Sequence, residues 1–518
     1  MTITTAKRPD RALLLTPLAL AAMLCSAECQ AQWKFTPTAG VTETYTDNVS
    51  LQRDELAHSQ FVSEAMGGFA LTGKGPRLLL NASARVHQFA YTDGDVPNLN
   101  NREHEYSATA LGKLADDLFL DMYAASGPQS ISAFGPQVSD NLYSMGNRTT
   151  VNSWRISPYV RHHYGNVADL LLRYSRDGVD AGKRNPFGSS TASTGSLNLT
   201  SGSAFRTVGW GLAYTHQDMN NRLGGRSSFE NALLDLRWRY SPQISATAST
   251  GYDTYDYKAL GGRTAGRSWS TGFIWTPSAR TKLQASFGHR YFGKTGSLAA
   301  SHHSRHSVWS INYSDAITTT RQQFLLPSTI DTASMLDTLF SASIPDPVLR
   351  QQAIQAYLQA TGLPPSLANN VNYLSNRYLR QKQLQAAVVF NWAHSSLATT
   401  LVRSERNALS LRESDSDLLG SQLSTLNDNV RQRGVNSVFT YRLSSRTIAN
   451  ATANLDRSTS LDTGIEQTHR QLRVGIARRI ERRLSMALEL RHLEGRSDAL
   501  TGGQYRENAI TAALTAQF

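Results

Sequence analysis

Residues 232–240 place apolar side chains at Leu234, Leu236, Trp238 and Tyr240 and charged ones at Asp235, Arg237 and Arg239. A period of two belongs to a β-strand, and here one face requires water while the other avoids it. The same alternation sets Leu283, Ala285, Phe287 and Tyr291 against Lys282, Gln284 and Arg290. It sets Leu472, Val474, Ile476 and Ile480 against Gln471, Arg473 and Arg479, with Arg478 interrupting the apolar face. Leu484, Met486, Leu488 and Leu490 oppose Ser485, Glu489 and Arg491. The chain closes on Ile510, Ala512, Leu514, Ala516 and Phe518. A spanning chain must satisfy all its backbone polar groups internally, and strands achieve this only by closing into a barrel. The pattern therefore predicts an all-β fold: a transmembrane, antiparallel, up-and-down β-barrel of the outer-membrane type. Ile510, Leu514 and the terminal Phe518 resemble the C-terminal signal read by the bacterial outer-membrane insertion machinery.

The N-terminus fits that compartment. Lys7, Arg8 and Arg11 precede an apolar run from Ala12 to Met23, and small residues follow at Ser26, Ala27 and Ala31. This is the pattern of a secretory signal peptide over residues 1–31, with cleavage expected after Ala31 or, alternatively, after Ala27. The run is too short for a spanning helix, and neither Cys25 nor Cys29 follows the small residue that a lipidation site needs. Both cysteines of the chain lie in this leader, which excludes a disulfide-stapled mature fold. Strands are expected to begin directly after the leader, leaving no room for an N-terminal plug domain.

Turn signals supply a second rhythm. Tight connections follow aromatic-ended strands at Tyr240-Ser241-Pro242, Trp275-Thr276-Pro277, Tyr313-Ser314-Asp315, Trp392-Ala393-His394 and Tyr441-Arg442-Leu443-Ser444. They read as periplasmic turns, with Tyr240, Trp275, Tyr313, Trp392 and Tyr441 in an aromatic girdle at the membrane surface. Longer polar connections alternate with them at 93–101, 127–148, 179–190, 220–227 and 410–429. With both termini periplasmic the barrel over residues 32–518 has about 22 strands, within a range of roughly 18 to 24. One insertion, residues 326–374, differs in composition from its surroundings. It contains a helical stretch near 347–360 that starts at Asp346-Pro347 and ends before Gly362 and Pro364-Pro365. If the Ser314-Asp315 turn is periplasmic the insertion is extracellular, where it caps the barrel, folds into the lumen or packs on itself.

The formal net charge is +12, and removing a leader with three basic and two acidic residues takes it to +11. Arg85, Arg173, Arg237, Arg239, Arg290, Arg473 and Arg491 occupy predicted lumen positions. A cationic lumen in a low-dielectric wall focuses its field on anions, with acidic polysaccharide among the candidates. Pairing with lumen carboxylates such as Asp235 and Glu489, or anchoring to lipopolysaccharide phosphates, is the plainer use of the same residues. Nucleic acid is not an expected partner, because the leader removes the chain from it and no basic helix or RNA-binding motif is present.

No site chemistry stands out. His302, His303 and His306 cluster, as do His162 and His163, but without the helical i, i+4 spacing and carboxylate of a zinc site. Asp93-Gly94-Asp95 lacks the downstream Glu of a calcium loop. No cofactor, no metal and no enzymatic activity are expected.

Two stretches carry a family resemblance: Trp33-Lys34-Phe35-Thr36-Pro37 through Thr44-Tyr45-Thr46-Asp47-Asn48-Val49-Ser50-Leu51, and Tyr313-Ser314-Asp315-Ala316-Ile317-Thr318-Thr319-Thr320-Arg321-Gln322 with Leu374-Ser375-Asn376-Arg377. They are similar to the PEP-CTERM system-associated outer-membrane β-barrel proteins. That resemblance implies a Gram-negative bacterium with an exosortase sorting system and a link to exopolysaccharide, and it transfers no catalytic or binding residue. Three functions follow as alternatives: a transport or export channel, a non-conducting structural or assembly barrel that docks envelope partners through its loops, and a rim-located enzyme.

Overall fold

The computed structural model describes residues 32–518 other than 94–95, 97–98, 136–142, 144–146, 182–188, 222–224, 258–259, 261–263, 326–376, 411–427 and 498–502. The leader, the insertion 326–374 and its helix near 347–360 lie outside the described residues. The first half of the wall is β1 Gln32–Thr46, β2 Gln60–Lys74, β3 Leu78–Tyr91, β4 Arg102–Lys113, β5 Leu118–Ser130, β6 Arg148–Tyr164, β7 Ala168–Asp180, β8 Ser189–Ser201, β9 Val208–Asn221, β10 Gly225–Arg239 and β11 Ile244–Asp256. The second is β12 Ala265–Ser278, β13 Thr281–Arg290, β14 Gly293–His303, β15 Ser307–Thr319, β16 Tyr378–Asn391, β17 Ser395–Ala408, β18 Val430–Arg442, β19 Thr447–Ser460, β20 Glu466–Arg479, β21 Leu484–Ser497 and β22 Tyr505–Gln517. A short helix, α1, covers Thr320–Leu325.

Each strand pairs antiparallel with the next, and β22 pairs back to β1 from Thr38 opposite Gln517 to Thr46 opposite Ala509. The 22-stranded sheet is therefore a closed barrel with no free edge. The period of two fixes which way each side chain points. On β10 Leu234, Leu236 and Trp238 stand exposed on the outer wall, as do Leu472, Val474, Ile476, Leu488, Leu490, Ile510 and Leu514. Large apolar side chains as the exposed set reverse the order of a water-soluble protein and suit hydrocarbon outside. Such a wall is that of an outer-membrane barrel.

Connections after even-numbered strands are short, from two residues between β12 and β13 to six between β8 and β9, and lie at the end that carries both termini, the periplasmic end by the habit of the class. Those after odd-numbered strands are mostly longer. Two depart from expectation: 220–227 reduces to residues 222–224, and β13 to β14 is only Tyr291-Phe292.

The expected turn at Tyr313-Ser314-Asp315 is corrected. All three residues lie within β15, and Tyr313 pairs with Leu384 well above the girdle. Asp315, which reads as a turn former, is neutralised on its strand by Arg380, whose Nε and Nη2 donate to the carboxylate at 2.9 and 2.7 Å. The turn before β15 is Ser304–His306, where Ser304 Oγ accepts from Ser307 N at 3.0 Å. Trp309, exposed and edge-on to Phe390 at 5.6 Å, is the aromatic close to it. Because this turn also lies at the end with the termini, the insertion still leaves β15 on the extracellular side. The other four residues named for the girdle lie at or beside the short turns: Tyr240 and Trp392 open theirs, Tyr441 is next to last in β18, and Trp275 lies three residues before the end of β12, all with exposed rings.

Candidate functional site

The lumen is the candidate site, and its two halves differ. Inward residues are buried near the extracellular ends of the strands, as at Thr46, Val62, Asp177, Asp253, Val430, Gln467 and Glu507; towards the short turns Arg161, Arg237, Arg239 and Lys282 stand exposed on β6, β10 and β13, while on β15 to β18 Val308, Val389, Ser396, Ala398 and Thr440 are buried there too. Three inward-folded features occupy the upper half.

The first is the β5–β6 connection. Its neck is pinned by Asn147, which takes φ +52, a conformation that Asn tolerates better than most residues. The Asn147 amide accepts from Ser132 N and donates to Ser132 O, both at 2.8 Å. From that neck Ala133 and Phe134 reach Val430 and Ile465 on the opposite side of the ring. Tyr143 descends elsewhere, among Val49, Val62 and Phe89. Its hydroxyl accepts from Arg491 Nη2 at 2.8 Å and donates to Glu507 at 3.2 Å, while Thr46 donates to the same carboxylate at 2.7 Å. Burial, reinforced by the Glu507 carboxylate, holds the Tyr143 hydroxyl well above the ordinary phenol range, so it remains a donor.

The second is α1. Thr319 and Gln322 form a capping box: Thr319 Oγ1 accepts from Gln322 N at 3.3 Å and Gln322 Oε1 accepts from Thr319 N at 3.2 Å. This reciprocal pair turns the end of β15 into a helix aimed across the barrel. Arg321 then ion-pairs with buried Asp177 of β7 and donates to its carbonyl at 3.0 Å. Burial lowers the Arg321 guanidinium to about 10, which leaves it charged at neutral pH. Leu325 packs with Val151, Val179 and Ala181. Since β7 and β15 are eight strands apart, α1 carries the chain inward across the lumen.

The third is an aromatic cluster. Tyr378 at the start of β16 stacks on Tyr257 at 4.6 Å, meets Tyr255 edge-on at 6.2 Å and shares a hydrogen bond with Ser227 at 2.8 Å. Tyr291 joins it at 5.4 Å from Tyr255, which corrects its expected place on the outer face. Leu260 N donates to Leu409 O at 2.9 Å, bridging the β11–β12 and β17–β18 connections above the short β13–β14 hairpin.

All seven predicted lumen arginines lie on inward positions. Arg491 pairs with Glu507 at 2.8 Å, Arg290 with fully buried Asp253 at 2.5 Å, Arg173 with Asp121 at 3.2 Å and Arg473 with Glu489 at 4.0 Å. Arg173 also covers the Tyr159 ring at 4.3 Å. Among the described residues Arg85, Arg237 and Arg239 have no ion-pair partner, and Asp235 is paired with neither of its arginine neighbours. Sequence reading missed the tying residues Tyr143, Arg321, Asp177 and Glu507. Only the Thr319-x-x-Gln322 box was a legible signal. Elsewhere His162 bonds Asp117 at 2.7 Å and His302 bonds Thr281 at 2.9 Å. Among the described residues no three His, Cys, Asp or Glu gather as a metal site.

No protein-family model matches the sequence, and no curated protein does. Solved structures do. The siderophore receptor PirA from Pseudomonas aeruginosa is 10% identical over 94% of this chain and 80% of its own, with a TM-score of 0.44. PirA from Acinetobacter baumannii is 8% identical over 94% and 80%, with a TM-score of 0.47. The FrpB iron transporter from Neisseria meningitidis is 10% identical over 93% and 81%, with a TM-score of 0.49. Likeness at this level says nothing of what this barrel carries.

Proposed function

We propose that the protein is an outer-membrane transport barrel that receives anionic solutes or polymers from the periplasmic side and is held shut at the extracellular end by segments of its own chain. One observation carries this reading: the lumen cations near the extracellular ends are paired and buried, whereas Arg161, Arg237, Arg239 and Lys282, nearer the short turns, are wet and unpaired among the described residues. In the upper half Arg148 pairs with Glu103, Arg290 with Asp253, Arg321 with Asp177 and Arg491 with Glu507, so their charge is spent on the fold. In the lower half Arg161, Arg237, Arg239 and Lys282 face water without a carboxylate partner among the described residues. A wet cationic vestibule inside an apolar wall concentrates anions. Acidic exopolysaccharide is the polyanion assigned, on the strength of the resemblance carried by Trp33–Leu51 and Tyr313–Gln322. Catalysis forms no part of this reading.

Gating follows from the ties. Both Arg321 and Tyr143 hold crossing segments through bonds to charged groups, and both can be broken without touching the lipid-facing wall. Planar-bilayer recording tests the reading: the wild type conducts little, whereas the Arg321→Ala/Tyr143→Ala variant opens in discrete steps with an anion-selective reversal potential. Replacing Arg237, Arg239 and Lys282 by Gln in that variant abolishes the selectivity. Silence of the untied barrel overturns the proposal and favours the second reading, a non-conducting envelope barrel, which the filled upper lumen also supports. Co-purification with a sorting or polysaccharide component is that reading's expected signature.

A further inference from the structure

On the outer wall, β17 to β21 carry an arrangement the lumen does not explain. Arg403, Arg433 and Arg457 are direct cross-strand partners on three adjacent strands. All three are exposed, and their strands are spaced by about 4.8 Å. Like charges directly opposite one another are destabilising, so such a row is an unfavourable way to build a wall unless something anionic lies on it. The acids nearby neutralise it only at one end: Glu466 pairs with Arg457 at 3.6 Å, Glu494 with Arg470 at 3.9 Å, and Glu405 is occupied by Arg431 at 3.1 Å. Arg403 and Arg433 have no partner among the described residues.

Two hollows meet at this row. A polar recess of about 220 Å³ is lined by Arg457, Glu466, Thr468, Arg470, Glu494 and Arg496. A groove of about 470 Å³ shares Arg457 and Arg470 with it and continues over Leu384, Leu401, Val435 and Leu455. Leu401, Val435 and Leu455 are each two positions closer to the periplasmic end than the arginine of the row on the same strand, so the charged row sits above a greasy trough. Depth agrees. Arg433 is eight residues up β18 from Tyr441 of the periplasmic girdle. At about 3.4 Å per residue and a tilt near 40°, that is roughly 21 Å, close to the upper edge of an apolar band about 25 Å tall.

We propose that this face binds a phosphorylated lipid of the outer leaflet, its phosphate on Arg403, Arg433 and Arg457 and an acyl chain along Leu401, Val435 and Leu455. Guanidinium forks suit phosphate oxygens, and the trough supplies a surface that free phosphate does not need. A second copy of the chain is disfavoured, because it would bring its own arginine row against this one.

The test uses the full-length barrel, delipidated in detergent, with native mass spectrometry as readout. The probes are bisphosphorylated lipid A, its monophosphorylated form and inorganic phosphate. Wild type retains lipid A, and the R403Q/R433Q/R457Q variant loses at least tenfold in affinity. R403K/R433K/R457K binds between the two, and loss of one phosphate weakens binding to the wild type. Heat-modifiable gel migration verifies that each variant is folded, and the single R433Q variant, expected to lose about threefold, serves if the triple one is not. Equal binding by wild type and the Gln variants overturns the site. Displacement of lipid A by millimolar inorganic phosphate overturns its assignment to a lipid.

Discussion

Removing the Glu507 carboxylate gives the sharpest view of how the barrel is held. Glu507 is fully buried and receives Thr46, Tyr143 and two nitrogens of Arg491, at 2.7, 3.2, 2.8 and 3.2 Å. In Glu507→Ala the Arg491 guanidinium stays buried with only a phenol for company. Breaking a buried pair from one side costs about 3–5 kcal/mol, and the orphaned Thr46 hydroxyl adds about 1 kcal/mol. The expected loss of about 4 kcal/mol or more is roughly a thousandfold in the folding equilibrium. Taking both charges away is different. Arg491→Met/Glu507→Leu leaves no stranded ion, so the double variant should fall within about 2 kcal/mol of wild type. Tyr143→Phe, worth about 2 kcal/mol in the wild type, should cost almost nothing in that background, because the hydroxyl has lost both charged partners. Urea unfolding in lipid bilayers, followed by tryptophan fluorescence and heat-modifiable migration, measures each term. A loss under about 1 kcal/mol for Glu507→Ala, or a double variant as weak as the single one, would refute the reasoning.

Two further outcomes follow from the wall and from α1. Leu236→Arg puts a cation on the lipid face and should cost about 2–4 kcal/mol if its depth is near the midplane, whereas Arg237→Leu, facing the wet lumen, should change stability by less than about 1 kcal/mol; the same unfolding assay separates them. Arg321→Ala should release α1 from β7, and a cysteine introduced at Gln322 should then react with a membrane-impermeant maleimide at least tenfold faster than with Arg321 in place. Since Cys25 and Cys29 both precede β1, labelling within the barrel reports that position alone.

The wall was legible because its signal is local. Lipid on one side and water on the other impose a period of two that each strand displays by itself, and aromatic rings beside short turns mark the boundary. Tyr313 shows where this fails: Ser314-Asp315 has turn chemistry, and only Arg380, far along the chain, reveals that the carboxylate is neutralised on a strand. The lumen was less legible for the same reason. Arg237 and Arg491 have equivalent places in their alternating strands, yet one is wet and the other buried beneath Tyr143, and nothing in either strand announces the connection that folds down upon it. The outer arginine row lay hidden too, because Arg403, Arg433 and Arg457 become neighbours only once three strands are placed in register.

The seam between β1 and β22 joins residues more than 450 positions apart. Asp47 accepts from the backbone and the side chain of Asn508, both at 2.7 Å, and Asn48 donates to Arg506 O at 2.9 Å. Beside these bonds Glu507 also holds Tyr143. The final strand of the barrel thus supplies the anchor for a lumen residue that precedes it by 364 positions, and an unclosed barrel has no buried acceptor to offer that tyrosine. Closing the cylinder and seating its filling become a single cooperative event. A chain truncated before Glu507 would lose both together, so incomplete copies would be left open at the seam and unfilled, in a form that proteolytic surveillance can recognise.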